Sequence, residues 1–110
     1  MALPQINRLP LRGQRERIDR EGSPLHSPLF TIVKAPSPSD ITAPRFAVLV
    51  SKKISNLAVT RNRLKRQILG AVQTLLPNIS PADYMIIPKS FAREKDHSQL
   101  LSDLKKLLEQ

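Results

Sequence analysis

The sequence predicts an α+β fold in which a small sheet carries helices on one side. Three observations support this prediction. Short β-branched or aromatic runs alternate with turn-forming residues, two longer segments place apolar residues at helical spacing, and the elements follow the order strand, strand, long helix, strand, helix. A chain of 110 residues has room for one modest core. We therefore predict a single domain, 1–110, with its core in residues 29–110.

Three segments are predicted to be strands, at 29–33, 45–51 and 83–88. The second of these contains the continuous apolar run Phe-Ala-Val-Leu-Val, which is typical of a strand covered on both faces. We therefore expect it to lie in the centre of the sheet. The connection at 34–44 contains three prolines and is expected to be exposed.

Two segments show the apolar periodicity of amphipathic helices. Residues 56–76 are expected to form the longer helix, with a buried stripe at Leu64, Ile68, Ala71, Val72 and Leu75, and Pro77 ends it. If the strands on either side of this helix are parallel neighbours, the helix is the crossover between them.

The other amphipathic helix contains five leucines within 100–108. Asp96 is its predicted N-cap, and Gln99 completes a capping box. The first 28 residues have few apolar anchors, so we predict a weakly ordered arm with a short helix at 14–20.

The distribution of charge is the main functional signal. The formal net charge is +9, and no acidic residue occurs between Asp40 and Asp83. Cations without carboxylate partners repel one another unless a polyanion neutralises them, so a phosphate backbone is the predicted ligand. This acid-free stretch contains seven basic residues: Arg45, Lys52, Lys53, Arg61, Arg63, Lys65 and Arg66.

The basic residues of the long helix have an unusual position for stability alone. At 100° per residue, Arg63 and Arg66 point away from the apolar stripe, whereas Arg61 and Lys65 lie at its border. Four cations near a helix N-terminus oppose the helix dipole, and bound phosphate would reverse the sign of that effect. The alternatives are a merely solvated basic face, a membrane-surface helix, and a helix that enters the major groove of DNA.

Several kinds of chemistry have no support in the sequence. There are no cysteines, and neither His26 nor His97 has the spacing of a metal site. The carboxylates are not clustered as a Mg²⁺ site requires. We predict no catalytic and no metal-binding residues in this chain. The longest apolar run is too short to cross a bilayer, and we expect a cytoplasmic protein that does not bind membranes.

Residues 45–73 resemble the bacterial ribonuclease P protein subunit. The resemblance depends on the strand that ends in Ser51-Lys52-Lys53 and on the helix that contains Arg61-Asn62-Arg63. It extends to Asn7-Arg8-Leu9, to Phe30 and to the apolar run 83–87. The specific part of the resemblance is the spacing between the Ser-Lys-Lys and Arg-Asn-Arg motifs. An isolated Arg-x-Arg is common and would not be specific.

The resemblance implies a two-layer sandwich with a mixed sheet, of the ribosomal protein S5 domain 2-like type, with a left-handed βαβ crossover. It also implies that the chain binds the catalytic RNA of ribonuclease P, one protein to one RNA, as an otherwise monomeric protein. Mg²⁺ would be bound mainly by the RNA, which carries out the hydrolysis. Asn62 either contacts RNA or holds its basic neighbours in place. The implied RNA-binding residues are Lys52, Lys53, Arg61, Asn62, Arg63, Lys65 and Arg66.

The implied substrate is precursor tRNA, whose 5′ leader the holoenzyme removes. In the family, aromatic side chains of the first helix line the leader cleft, but here Arg15 and Asp19 stand at those positions. Leader binding is therefore expected to depend more on charge, with Arg17 as an additional cation. A ribosomal or other structural RNA-binding protein and a DNA-binding module are the alternatives. The candidate leader contacts are Arg8, Arg12, Arg15, Phe30, Arg45 and Tyr84.

Overall fold

The fold is built on a mixed four-stranded sheet, and the computed structural model describes residues 3–109. Met1, Ala2 and Gln110 of the predicted domain lie outside the described residues. Three short 3-10 turns occur at Gln5–Asn7, Leu76–Asn78 and Ser90–Glu94. The helices are α1 (Arg15–Glu21), α2 (Ala58–Leu75) and α3 (His97–Leu108), and the strands are β1 (Ser23–His26), β2 (Phe30–Ala35), β3 (Arg45–Val48) and β4 (Asp83–Pro88).

The strands follow the spatial order β1-β2-β4-β3. The β1–β2 and β2–β4 pairs are antiparallel, whereas β3 and β4 are parallel. The predicted parallel pair is therefore confirmed, and α2 is the crossover between its strands. The left-handed sense of that crossover stays an implication of the resemblance.

The prediction that β3 lies in the centre of the sheet is wrong, because β3 is an edge strand. Both of its faces are nevertheless covered: Phe46 and Val48 belong to the main core, and Ala47 packs against a second apolar cluster. The N-terminal segment also follows its outer edge, where the Leu9 N–H donates to the Phe46 carbonyl at 2.9 Å. This cover explains why an edge strand has the apolar sequence of a central one.

Strand β1 was not predicted. Its sequence, Ser-Pro-Leu-His, has no β-branched residue and contains a proline, which an edge strand tolerates. The turn into β2 is fixed from α3, where the buried Asp103 carboxylate accepts hydrogen bonds from the Ser27 hydroxyl and, at 3.3 Å, from the Leu29 N–H.

The sheet has apolar side chains on both faces. Phe30, Ile32, Tyr84 and Ile86 point into the main core beneath α2 and α3, which gives the predicted sheet-and-helix layers. The opposite face packs against Ile18 of α1 in a smaller cluster with Leu9, Ala35 and Met85. The expectation that all helices lie on one side of the sheet is therefore wrong.

The two amphipathic helices agree with their predictions. The buried residues of α2 include the whole predicted stripe, and the chain leaves the helix at a 3-10 turn that contains Pro77. At the start of α3, the Asp96 carboxylate accepts from the Gln99 N–H at 2.9 Å, and the Gln99 side chain accepts from the Asp96 N–H at 3.2 Å. The capping box is confirmed.

The first 28 residues contribute apolar contacts to the fold. Leu3 belongs to the main core, while Leu9 and Ile18 form part of the second cluster. At the end of α1 the backbone comes so close to β2 that a Cβ at Gly22 would lie 2.4 Å from a methyl carbon of Val33. The core therefore begins well before residue 29. The order of this segment in the free protein stays a prediction.

A buried carboxylate joins α1, β3 and β4. Asp83 is 0% exposed and accepts two hydrogen bonds from Arg45, each of 2.8 Å, and one from Arg17 at 2.5 Å. Burial alone would raise the pKa of Asp83, but the hydrogen bonds from Arg45 and Arg17 outweigh it and hold the pKa below its ordinary value. The carboxylate is therefore ionised at neutral pH and attaches α1 to the sheet.

We predict that Asp83→Asn lowers the free energy of unfolding at pH 7 by about 3–5 kcal/mol, because it leaves two guanidinium groups without their carboxylate. Since folding lowers the pKa, the stabilisation is complete at neutral pH and is lost as the pH falls below the ordinary value of 3.8. Urea unfolding at several pH values measures this difference.

The matched control is Asp19→Asn, because Asp19 pairs with Arg15 at the surface and both side chains are about half exposed. This change should cost less than about 1 kcal/mol. Equal stability of wild type and Asp83→Asn at pH 7 would contradict the role given to Asp83.

Candidate nucleic-acid interface

The loop before α2 and the first two turns of α2 form one basic surface. We use "basic surface" for Lys52 and Lys53 together with α2 residues 61–66. Most of its polar side chains are exposed, and Arg61 is half-buried. The ion pairs within residues 3–109 involve only Arg15, Arg17, Arg20 and Arg45 as cations. The exposed cations of the basic surface are Lys52, Lys53, Arg63, Lys65 and Arg66, and Asn62 is exposed beside them.

Arg61 has a structural contact as well as a charge. Its Nη1 donates to the carbonyl oxygen of Ser55 at 2.9 Å, and the Ser55 hydroxyl accepts from the Leu57 N–H at 3.1 Å. Arg61 therefore fixes the loop that leads into α2. The guanidinium can still use its other N–H groups toward a ligand.

The N-terminus of α2 has no internal counter-charge. Its N-cap residue is Leu57, which makes no side-chain capping bond, and its first turn contains no acidic residue. The first backbone N–H groups of a helix have no intrahelical partner and attract anions. The basic side chains and the helix dipole thus favour the same kind of ligand, a phosphate group.

A cleft adjoins the basic surface at the outer edge of β3. Its volume is about 330 Å³, and its apolar walls include Leu9, Phe46 and Leu69. Lys65 and Arg8 both line the cleft, so the cleft connects the basic surface to the N-terminal segment. The Arg8 Nε donates to the Leu3 carbonyl at 3.0 Å, which holds this guanidinium at the cleft.

Two predicted leader contacts are buried in the core. Phe30 is 0% exposed and Tyr84 is 1% exposed, so neither ring can stack on a bound base. Tyr84 lies 5.1 Å from Phe46, ring centre to ring centre, in a stacked pair, and its hydroxyl donates to the Ser80 carbonyl at 2.8 Å. Burial raises the pKa of the Tyr84 hydroxyl. These aromatic residues stabilise the core.

The arginines predicted to contact the leader differ in their environments. Arg45 and Arg17 bind Asp83, and Arg15 forms an ion pair with Asp19 at 3.3 Å on the surface of α1. Arg8 and Arg12 are exposed and form no ion pair with another residue in 3–109. Of the candidate leader contacts, Arg8 and Arg12 are therefore the ones that keep an unneutralised charge.

Sequence reasoning missed the 3-10 turn that contacts the loop of the basic surface. Arg93, in the 3-10 turn after β4, donates from Nη1 to the carbonyl oxygen of Ile54 at 2.9 Å. The same turn carries Phe91, a residue that is 69% exposed. Phe91 and Arg93 lie at least 25 residues beyond the basic surface in sequence and match no motif, so only the fold reveals their position.

In the described part of the chain, no group of three or more His, Asp or Glu side chains is placed to bind a metal ion. Among its helices, none has both the length and the apolar character that crossing a membrane requires.

Comparison with known proteins identifies the family. The ribonuclease P family model matches residues 3–110. The ribonuclease P protein component of Microcystis aeruginosa is 38% identical over 98% of this chain and 92% of that protein. The ribonuclease P protein component of Trichormus variabilis is 36% identical over 100% of this chain and 94% of that protein.

Solved structures show the same fold. The ribonuclease P protein from Thermotoga maritima superposes with a TM-score of 0.84 over 93% of this chain and 94% of that one, at 24% identity. The ribonuclease P protein from Staphylococcus aureus superposes with a TM-score of 0.82 over 93% of this chain and 92% of that one, also at 24% identity. Because the family model and both curated relatives match nearly the whole chain, and the basic surface carries the motifs of the resemblance, this chain belongs to the family of ribonuclease P protein components.

Proposed function

We propose that this protein binds the RNA of ribonuclease P through the basic surface and assists removal of the 5′ leader from precursor tRNA. Family membership makes the chain a subunit of an endoribonuclease that processes tRNA. The observation that supports the RNA contact is the group of exposed cations, five in all, on one continuous segment that has no acidic partner in residues 3–109.

The chemistry of these cations suits phosphate. Arginine presents a planar fork of N–H donors that can bind two phosphate oxygens at once, and lysine provides a compact point charge. Each phosphate that they neutralise releases condensed counterions, which favours binding at low salt. Since Arg61 and Arg93 fix the loop before α2, Lys52 and Lys53 are held beside the helix.

In this proposal the chain supplies positioning and charge relief, and the RNA carries out the hydrolysis with Mg²⁺. Two RNA molecules repel each other, and cations placed between them lower the Mg²⁺ concentration that they need for association. Arg8 lines the cleft, and Arg12 follows Leu11, which also lines it. Both arginines would extend this effect toward the leader. One protein is proposed to bind one RNA.

We predict that Arg63→Ala or Arg66→Ala weakens binding to a transcribed ribonuclease P RNA, such as that of Microcystis aeruginosa. Both side chains are exposed and form no ion pair within residues 3–109, so the fold should be unaffected. Each change should remove about one phosphate contact, which makes the slope of log affinity against log salt concentration shallower by roughly 0.7–0.9. Filter binding over a series of salt concentrations measures the slope.

Lys105→Ala on α3 is the control for loss of one exposed charge elsewhere, and it should leave affinity and slope nearly unchanged. If the slopes of Arg63→Ala and Arg66→Ala equal that of wild type, these two side chains do not contact phosphate.

We also predict that the protein stimulates cleavage of precursor tRNA by this RNA at low Mg²⁺, while the protein alone cleaves nothing. The effect should shrink as Mg²⁺ rises, because the metal ion then supplies the screening itself. Gel assays of 5′ leader release over a Mg²⁺ series measure it. Identical rates with and without protein at every Mg²⁺ concentration would contradict the proposal, and equal competition by duplex DNA would favour a DNA-binding module.

A further inference from the structure

Phe91 differs from the other aromatic residues of the chain. The sequence contains three phenylalanines, one tyrosine and no tryptophan. Phe30, Phe46 and Tyr84 are at most 2% exposed, whereas Phe91 is 69% exposed. A phenyl ring in water contributes little to the fold, but its free face can stack on an unpaired base.

The turn that carries Phe91 is anchored to the fold by the residues next to Phe91. Ala92 is fully buried and its N–H donates to the Lys89 carbonyl at 2.9 Å. Arg93 donates to Ile54, the residue that follows Lys53 in the loop of the basic surface. Phe91 is two residues from Arg93, so its Cα lies within about 8 Å of that of Arg93. The turn that carries Phe91 is therefore held next to the loop that carries Lys52 and Lys53.

The charges around the turn favour a nucleotide over an acidic or neutral apolar surface. Lys52, Lys53 and Arg93 supply positive charge, and the carboxylate of Asp96 is occupied as the N-cap of α3. Glu94 is the other carboxylate of this turn and forms no ion pair within residues 3–109, but the three cations outnumber it. A ligand that suits this site has a flat apolar face and a negatively charged backbone.

We propose that Phe91 is a stacking platform for an unpaired base of the RNA bound by the basic surface. This inference rests on the proposed RNA-binding function and adds a contact of a different kind. The basic surface would bind phosphates, and the ring would bind a base whose phosphates lie within reach of Lys52 and Lys53.

The first test compares Phe91→Ala with Arg63→Ala in binding to the transcribed ribonuclease P RNA over a salt series. Loss of one stacked base corresponds to roughly 5- to 150-fold weaker binding. Because stacking releases no counterions, Phe91→Ala should keep the wild-type salt slope, whereas Arg63→Ala should make it shallower. Phe91→Trp should retain the affinity of wild type.

The outcomes separate this inference from the proposed function. If Arg63→Ala weakens binding and Phe91→Ala stays within twofold of wild type, the stacking inference is overturned and RNA binding by the basic surface stands. If neither variant binds more weakly, the proposed function fails as well. A shallower slope for Phe91→Ala would also overturn stacking, because it would indicate an indirect loss of phosphate contacts.

The second test uses fluorescence. Since the chain has no tryptophan, Phe91→Trp introduces a single reporter, and base stacking should quench its emission when the RNA is added. The control is Ser102→Trp, at an exposed position of α3 opposite its buried leucines. Quenching confined to position 91 supports the inference. Equal quenching at both positions overturns it. The inference is also overturned if the emission of Trp at position 91 does not change with RNA but changes with protein concentration, which would indicate contact with a second copy.

Discussion

The absence of carboxylates between Asp40 and Asp83 is the constraint on which the functional surface depends. The chain has acidic residues, but the fold uses them elsewhere. Asp83, the first acid after the gap, is buried against Arg45 and Arg17 and attaches α1 and β3 to β4. One cation of the stretch is thereby assigned to stability, and those of the following loop and helix remain free to bind an external polyanion.

Most of the fold could be predicted from the sequence because its main elements have strong local signals. The buried stripe of α2, the capping box at Asp96 and the run at 83–88 depend on spacing within one segment, and the structure confirms them. The position of a strand within the sheet has no such signal. β3 resembles a central strand because the N-terminal segment and two layers cover it, and β1 has exposed side chains that leave no alternating pattern.

The candidate site was predictable where it depends on charge and uncertain where it depends on the face of a strand. Lys52, Lys53 and the α2 cations are exposed because loops and helix surfaces readily present long charged side chains. Side chains alternate between the two faces of a strand, so a shift of one residue moves a side chain to the opposite face. Phe30 and Tyr84 lie on the face that is buried in the core. Phe91 gave no signal, because its place beside the basic surface results from the contact of Arg93 with Ile54 across the fold.

The most direct test of the account adds a carboxylate to the acid-free surface. Val59 is 78% exposed in the first turn of α2, one helical turn before Arg63. A glutamate at this position should stabilise the helix, because its charge interacts favourably with the helix dipole and can form an i,i+4 pair with Arg63. Val59→Glu should therefore be at least as stable as the uncharged Val59→Gln. The measurement is the affinity of these two variants for the ribonuclease P RNA at low salt. We predict weaker binding for Val59→Glu, with a difference that narrows as salt rises; equal affinities would contradict the account.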